Sequence, residues 1–517
     1  MRILVILVIA GAVVTAVVLL AAYSYGRFSE HALGPPSSAL PLGTGTELDG
    51  AIAPLTAAEA GKSGLEMIPD SIDAFAARTL TARAAGRSLD LMYYIWEYDL
   101  TGRLLAAEVL AAADRGVRVR VIIDDATTHG NVIPYLSLAS HPNIDVRLFN
   151  PTQARDNALR RGFEMAARFF TTTRRMHNKA WVADGRLAIV GGRNIGDDYF
   201  DASESSNFSD LDVVMLGPAV QETETIFDRF WNSRVVLPIE AIAGTRKPNL
   251  DQMRAQLAAT AGSAEAAPYL RRVDDRVSAA AMVSEIGGLH WTDTAEVLSD
   301  PPEKALDEQR ENWLLATLAP VMQSAERYLE ITSPYFVPGD PGERFLLDLA
   351  RRGVDVSVLT NGLAATDPFP LAFSHYAGYR APLLAGGIHI YELAPQLKPV
   401  DTSLFGSGTL GLHAKNFSVD DRSGFIGSFN FDPRSAALNT EMGVLFDQPD
   451  LVAEMRELFA RKTAPGASFS LTLDDGALAW NGEKDGTTTV FDRDPETGPF
   501  RRGLTWLLGW LPVQSQL

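Results

Sequence analysis

The sequence predicts an α/β protein of two similar lobes, each a mixed, largely parallel sheet flanked by helices, related by a pseudo-twofold with the active site between them. Three observations predict it. A strand–helix–strand order occurs twice, and a spaced set of His, Lys, Asp, Gly and Asn follows each occurrence. The interval between the two features is also nearly the same, 61 residues from Gly116 to His177 and 60 from Gly353 to His413.

The elements of the first copy read in order. Leu89 to Trp96 is a strand-like run, Leu104 to Ala113 an apolar helical stretch closed by Arg115-Gly116, and Val117 to Ile123 alternates with period two. The second copy has Leu329 to Thr332, Phe345 to Ala350, the closing Arg352-Gly353, and the alternating Val354 to Leu359. A further strand follows in each, Ile144–Leu148 and Ile388–Tyr391. Glycine at each helix end suits a left-handed cap. Residues 61–240 and 311–470 are therefore assigned to the two lobes, and the Ala- and charge-rich stretch 241–310 to a linker with helical pieces.

The repeated constellation carries the chemistry. It comprises His177, Lys179, Asp184, Gly191 and Asn194 in one copy, and His413, Lys415, Asp420, Gly427 and Asn430 in the other. Chance predicts about 0.009 matches to His-x-Lys-x4-Asp at this composition, and two occur. His and Lys two apart on a strand share a face, so imidazole and ammonium meet one ligand. Two such units facing each other assemble two His, two Lys and two Asn around one centre. That set suits a phosphate diester: cations and amides on its oxygens, one imidazole to attack, one to protonate the leaving oxygen. Paired acids at Asp124-Asp125 read as turn formers, since nothing supplies further metal ligands, and no metal or other cofactor is expected.

On these residues the chain resembles the phospholipase D superfamily, with its duplicated His-Lys-Asp motif, over most of 85–465. The resemblance implies a ping-pong reaction through a phosphohistidine without a metal, and structural roles for Asp184 and Asp420. It also implies a separate acid that orients each histidine. Glu441, 28 residues after His413, fits one; Asp212 in Ser209-Asp210-Leu211-Asp212 fits the other, with Asp210 as the alternative. His177 is expected as nucleophile and His413 as general acid. Gly192 stands where the second copy has Ser428, which removes a hydroxyl donor from the first half-site. Longer stretches, Ser333 to Pro338 and Gly427 to Ser435 among them, are similar to bacterial cardiolipin synthases, and Tyr93 to Trp96 with the closing Leu511-Pro512 are similar to their C-type class. Phosphatidyl transfer between phospholipids follows as the expected activity, with hydrolysis to phosphatidic acid as the alternative. Tyr94, Trp96, Tyr335 and Phe336, at strand ends, are candidates either for lipid contact or for core packing.

Composition and termini bound the rest. The chain has 517 residues and no cysteine, which excludes disulfides, thiolate metal sites and cysteine nucleophiles. A net charge of −18 disfavours a nucleic-acid partner. Ile3 to Ala22 is uncharged and almost wholly apolar, long enough to cross a bilayer, and is read with residues 1–24 as an uncleaved anchor rather than a cleaved signal. Arg2 and the amino terminus against Arg27 lean toward a cell-membrane protein with its catalytic part on the extracytoplasmic side. Residues 25–60 read as a tether and 471–517 as a tail. Its end, Arg501 to Pro512, suits an interfacial segment or docking on the protein's own surface.

Overall fold

The computed structural model describes residues 32–128, 132–152, 155, 164, 173–203, 206–274, 288–365, 370–394, 409–484, 486–511 and 513–516. The expected anchor lies outside them. Among the described residues no helix is long and apolar enough to cross a membrane.

The first lobe contributes strands β1 (Ser63–Ile68), β2 (Ser88–Tyr93), β3 (Arg118–Asp124), β4 (Ile144–Phe149), β5 (Ala180–Ala183), β6 (Leu187–Gly191), β7 (Ser206–Ser209), β8 (Asp212–Leu216), β9 (Val236–Pro238) and β10 (His290–Thr292). The second contributes β11 (Glu296–Ser299), β12 (Tyr328–Thr332), β13 (Asp355–Asn361), β14 (His389–Leu393), β15 (Thr409–Leu412), β16 (Lys415–Val419), β17 (Ser423–Gly427), β18 (Met442–Asp447), β19 (Ser468–Asp474), β20 (Ala477–Lys484) and β21 (Thr487–Phe491). One sheet runs β10-β1-β8-β6-β5-β2-β3-β4-β9, the other β11-β18-β17-β16-β12-β13-β14-β19-β20-β21. The shared order β8-β6-β5-β2-β3-β4 and β18-β17-β16-β12-β13-β14 is the duplication made visible. β7 and β15 pair with each other in parallel and so join the lobes.

The sheets are mixed, but less parallel than expected. Within the two large sheets, parallel pairing is confined to β2-β3-β4 and β12-β13-β14. Those strands are separated by helices such as Leu100–Asp114 and Gly339–Arg351, long enough to return the chain to the same edge. The motif strands β5-β6 and β16-β17 are tight hairpins instead, and a hairpin can pair only antiparallel.

Packing forms three apolar layers. Helices 71–84 and 100–114 cover the outer face of the first sheet, and helices 314–323 and 339–351 that of the second. The middle layer belongs to both lobes: Met92, Val182, Val190 and Val213 of one meet Ile426, Met442 and Val444 of the other, together with Phe227 and Trp231 and with Met455 and Phe459 from two helices. Every residue of β2, β5, β6, β8 and β17 is buried, as expected of strands covered on both faces.

Three domain expectations change, and the first is the expected tail, whose opening part is lobe because β19, β20 and β21 extend the second sheet beyond β14. Described residues of the expected tether lie on the first lobe. Helix Glu47–Ala58 has a Thr46 capping box, and its buried Asp49 pairs with Arg87 and Arg186; upstream, the carbonyls of Pro35 and Ser38 accept from Arg147 and Arg118. A Gly- and Pro-rich composition did not reveal these long-range arginine contacts. The expected linker is likewise mostly lobe: Met253, Leu257, Tyr269 and Val273 enter the first core, and the crossing between sheets falls between β10 and β11.

The motif aspartates close the hairpins. Asp184 and Asp420 both adopt left-handed backbone (φ 54° and 50°). Asp184 accepts from the amides of Gly86, Arg87 and Ser88, Asp420 from those of Glu326, Arg327 and Tyr328. Each thus ties its hairpin turn to the start of the neighbouring parallel strand. Asp184→Ala should leave three amides without their acceptor and place alanine in the left-handed region, lowering stability by about 3 kcal/mol in chemical denaturation, with Asp184→Asn losing less.

Candidate active site

β5 begins just after Lys179 and β16 at Lys415, so His177 and His413 stand at the mouths of equivalent hairpins, next to the seam between lobes. Both backbones are fixed across that seam. The His177 amide donates to Thr440 O (2.8 Å) and the His413 amide to Ser209 O (2.8 Å), each the residue before an acid of the opposite lobe. Asn178 adds to the seam by accepting from Thr440 Oγ1 and donating to Ser299 Oγ.

The acids themselves also cross. Glu441 Oε2 lies 2.8 Å from His177 Nδ1, and Asp210 Oδ2 lies 2.5 Å from His413 Nδ1. A carboxylate on Nδ1 fixes the proton there and leaves Nε2 as the atom for a ligand. Asp212, the expected partner, touches neither imidazole. It is buried against Arg78 (2.9 Å) and Arg193 (3.3 Å), and holds the hairpin end to the helix 71–84. Strand register explains the correction. Gly191 pairs with Asp212 and Gly427 with Gly443, so the residues two earlier, Asp210 and Glu441, are the equivalents. The signal was present in the sequence as Asp210-Leu211-x-Val213 beside Glu441-Met442-x-Val444.

The Gly192/Ser428 difference has a steric cause. A Cβ on Gly192 would stand 2.1 Å from Asp210 Oδ1, so the shorter acid and the missing side chain belong together. In the second copy Ser428 Oγ donates to Glu441 Oε2 (2.5 Å) and Ser435 Oγ to Glu441 Oε1 (2.7 Å). Gly191 and Gly427 admit no side chain either, since a Cβ would lie 2.5 Å from Leu211 O in one and 2.4 Å from Met442 O in the other.

Lys179 and Lys415 are fully buried, and each ammonium donates to the carbonyl of its own histidine. Burial pushes Lys179 well below the ordinary lysine value and Lys415 down to about 8, with the neighbouring carboxylates opposing. Burial likewise holds His177 down to about 4 and His413 to about 3, and lysines of both lobes add to the effect. Burial works to raise Asp210 and Glu441, but the hydrogen bonds from the adjacent imidazoles and the nearby lysine charges prevail, and both end below the usual carboxylate range. The cleft thus holds two buried lysines and two neutral imidazoles whose Nε2 atoms are left free of the carboxylates, a set suited to an anion that arrives with a proton on one ring.

The remaining candidates divide. Asn194 is committed to the scaffold: its amide donates to Tyr199 Oη and its oxygen accepts from the Ile95 amide. Asn430 Oδ1 has no hydrogen-bond partner among the described residues, and the Asn430 side chain is the freer of the two. Tyr94 meets the His177 ring edge-on at 5.3 Å and lies under Lys179 Nζ at 5.5 Å. Trp96 and Phe336 are core residues: Trp96 packs on Trp181 and donates to Gly102 O, while Phe336 stacks on Phe431. Tyr335 is half-buried, its carbonyl accepting from Ser333 Oγ. Sequence reasoning missed Tyr199 and Phe208, whose rings lie 5.1 and 5.2 Å from that of His413, and the buried pair Asp300 and Lys304. Asp300 accepts from the Glu441 amide, and Lys304 donates to Ser435 O. None of these belongs to the repeat, so no spacing marked them. No group of three or more His, Asp or Glu that would hold a metal occurs among the described residues.

Asp210→Asn should lower turnover at least about 100-fold with a folded protein, by releasing His413. Asp212→Asn should instead cost about 3 kcal/mol of stability, because it leaves Arg78 and Arg193 underpaired in the core. Folded histidine values near 4 and 3 lie below the ordinary 6.5. Between those limits the unfolded chain therefore binds protons that the folded chain does not, and stability should fall as pH drops from about 6.5 to 4. Denaturation midpoints across that window should flatten in the His177→Asn/His413→Asn double variant.

The site sits inside regions that known proteins share. A family model described as "Cardiolipin synthase, PLD-like domain" matches residues 81–231 and 318–463. Cardiolipin synthase C of Escherichia coli (strain K12) is 38% identical over 473 residues, 90% of this chain and 99% of that protein. A cardiolipin synthase of Oceanobacillus iheyensis is 22% identical over 74% of this chain and 66% of its own. Among solved structures, phosphatidylserine synthase of Haemophilus influenzae Rd KW20 superposes with a TM-score of 0.56 at 14% identity, covering 86% of this chain and 92% of that one; at that identity the likeness is one of fold. With both motif copies inside the matched segments, and near-complete coverage of a relative at 38% identity, the chain belongs to the cardiolipin synthase family built on phospholipase D-like domains.

Proposed function

We propose that the chain is a phosphatidyltransferase that makes cardiolipin from phosphatidylglycerol and a second phospholipid through a covalent phosphohistidine. The observation that carries the reading is the exchange of acids across the seam: Glu441 on His177 and Asp210 on His413 aim two Nε2 atoms at one cationic centre. The family and the E. coli relative support the choice of lipid.

In the proposed reaction the phosphodiester anion of the donor lipid enters between Lys179 and Lys415. Its charge offsets theirs and favours a proton on His413, which burial otherwise disfavours. His177 Nε2, neutral, attacks phosphorus, a P–N bond forms, and the P–O bond to the head-group alcohol breaks as His413 donates its proton to that oxygen. The alcohol leaves. His413, now a base, takes the proton from a hydroxyl of the acceptor's head group as that oxygen attacks phosphorus and the P–N bond breaks, which regenerates both imidazoles. Glu441 and Asp210 hold the rings and stabilise charge as it appears on each. An apolar amino-terminal segment, Ile3 to Ala22, is proposed to anchor the enzyme in the cell membrane with its catalytic part on the extracytoplasmic side.

Labelled phosphatidylglycerol in mixed micelles, with and without phosphatidylethanolamine, should yield cardiolipin and a released head-group alcohol. Phosphatidic acid as the main product would make the enzyme a hydrolase using the same residues. Label carried in the phosphatidyl group should be trapped on His177 in the His413→Asn variant, and no covalent label should form in His177→Asn, whose turnover should fall by about 10⁴ or more. Label at residue 413 would exchange the two roles.

A further inference from the structure

We propose that the helix Pro499–Leu508 and the turn after it dock on an anionic bilayer surface and set the second lobe's rim of the catalytic cleft against lipid. The surface is built unlike the rest of the molecule. Phe500, Trp506, Leu507 and Trp510 are 83%, 67%, 59% and 72% exposed, and their spacing puts them on one outward stripe. The inward side is already occupied, with Thr505 and Leu508 buried where the helix meets helix 371–376. An amphipathic helix of a water-soluble surface turns its apolar stripe inward; this one carries a second stripe facing out.

Charge and residue type select the occupant. No Asp or Glu occurs in 497–517, and the helix's only charged residues are Arg501 and Arg502, both half-buried and Arg502 donating to Thr497 O, in a chain of net charge −18. A second copy of so acidic a chain is repelled at long range, whereas an anionic lipid surface attracts the local arginines. Tryptophan beside arginine and leucine is also the composition of the bilayer interface, where an indole keeps its ring in the acyl boundary and its N–H among head groups.

Position supports the same face. Behind the helix, Gln516 O accepts from Arg434 Nη1 (2.8 Å), and Arg434 Nη2 donates to Thr173 O, four residues before His177. Gln514 bonds Tyr379 Oη, next to helix 371–376. Tyr376 of that helix packs on Phe336, which stacks on Phe431 beside Asn430. The end of the chain is therefore clipped to loops of the cleft from both lobes. On the same rim opens a cavity of about 390 Å³ with an almost wholly apolar lining, including Met322, Phe345, Phe429 and Phe431. A bilayer touching the stripe would lie at the entrance to the site rather than behind it.

The inference takes its choice of a lipid surface partly from the proposed function, so its test reads contact and not only turnover. The full-length protein is reconstituted in vesicles of phosphatidylglycerol and phosphatidylcholine bearing acyl-chain bromines near the head group, which quench tryptophan on contact. Two of the eight tryptophans lie on the stripe, so roughly a quarter of the intrinsic emission should be quenched, and the Trp506→Phe/Trp510→Phe variant should lose at least two thirds of that quenching. Quenching unchanged in that variant would overturn the proposal. So would unquenched stripe tryptophans together with a concentration-dependent dimer that Trp506→Ser/Trp510→Ser dissolves, since a second copy would then be the occupant. In a second measurement, Trp506→Ser/Leu507→Ser/Trp510→Ser should lower turnover on vesicles about tenfold and leave turnover on monomeric short-chain lipid within twofold. Equal loss on both substrates would overturn it. An enzyme with no cardiolipin product but normal quenching would fail the function and keep the docking surface.

Discussion

Each motif imidazole is gripped by a carboxylate that belongs to the other lobe, and most of the architecture serves to keep those two grips closed. Hydrogen bonds of 2.8 and 2.5 Å between Nδ1 and an acid tolerate little sliding of one sheet against the other. The histidine amides are pinned to the residues just before those acids, so backbone and side chain register together. The shared apolar layer, the β7–β15 pairing and the Asn178–Thr440 bond all act on the same seam. A hinge there would dismantle the site, and the thickness of the middle layer is what prevents one.

That rigidity permits an arrangement that is otherwise unfavourable. Two ammonium groups, two imidazoles and two carboxylates share a volume closed to bulk water. The carboxylates suffice to balance the lysines but not to charge the histidines as well, and burial leaves the rings neutral. An incoming anion suits a site in this condition because its charge lets an imidazole hold the proton that the fold's own charges leave off. The buried Asp300–Lys304 pair beneath Glu441 serves the same end by mooring the acid's backbone and its serine donor.

How much of this was legible in the sequence depended on whether a feature repeats locally. His177, Lys179 and Asp184 and their counterparts lie within one hairpin, where sequence spacing is spatial spacing, and they were legible. Glu441 was legible through the resemblance, as the acid 28 residues after His413. Asp210 was passed over for Asp212 because the loop before β8 is longer than the one before β18, so the offset that finds Glu441 falls at Ser205 and reaches neither aspartate; counting along the strand pair recovers Asp210. Trp96 and Phe336 illustrate a different failure: an aromatic at a strand end turns inward or outward according to what packs above it, which a single strand does not contain. The supposed tether was misread for the same reason, since its partners Arg118, Arg147 and Arg186 are 80 to 140 residues away.

The crossing of acids also bears on how such a molecule diversifies. A lobe carries the histidine of one half-site and the acid of the other, so neither copy of the repeat is a self-sufficient module, and the two must be inherited as a unit. Yet the pairs that fit one another sterically, Gly192 with the short Asp210 and Ser428 with the longer Glu441, each lie within a single copy. Substitutions at either acid or its steric partner therefore retune the sister copy's histidine from strands that do not carry that histidine. Joining the copies in one chain turns a symmetric device into two addressable controls, and selection for a particular donor or acceptor can act on one of them without disturbing the other.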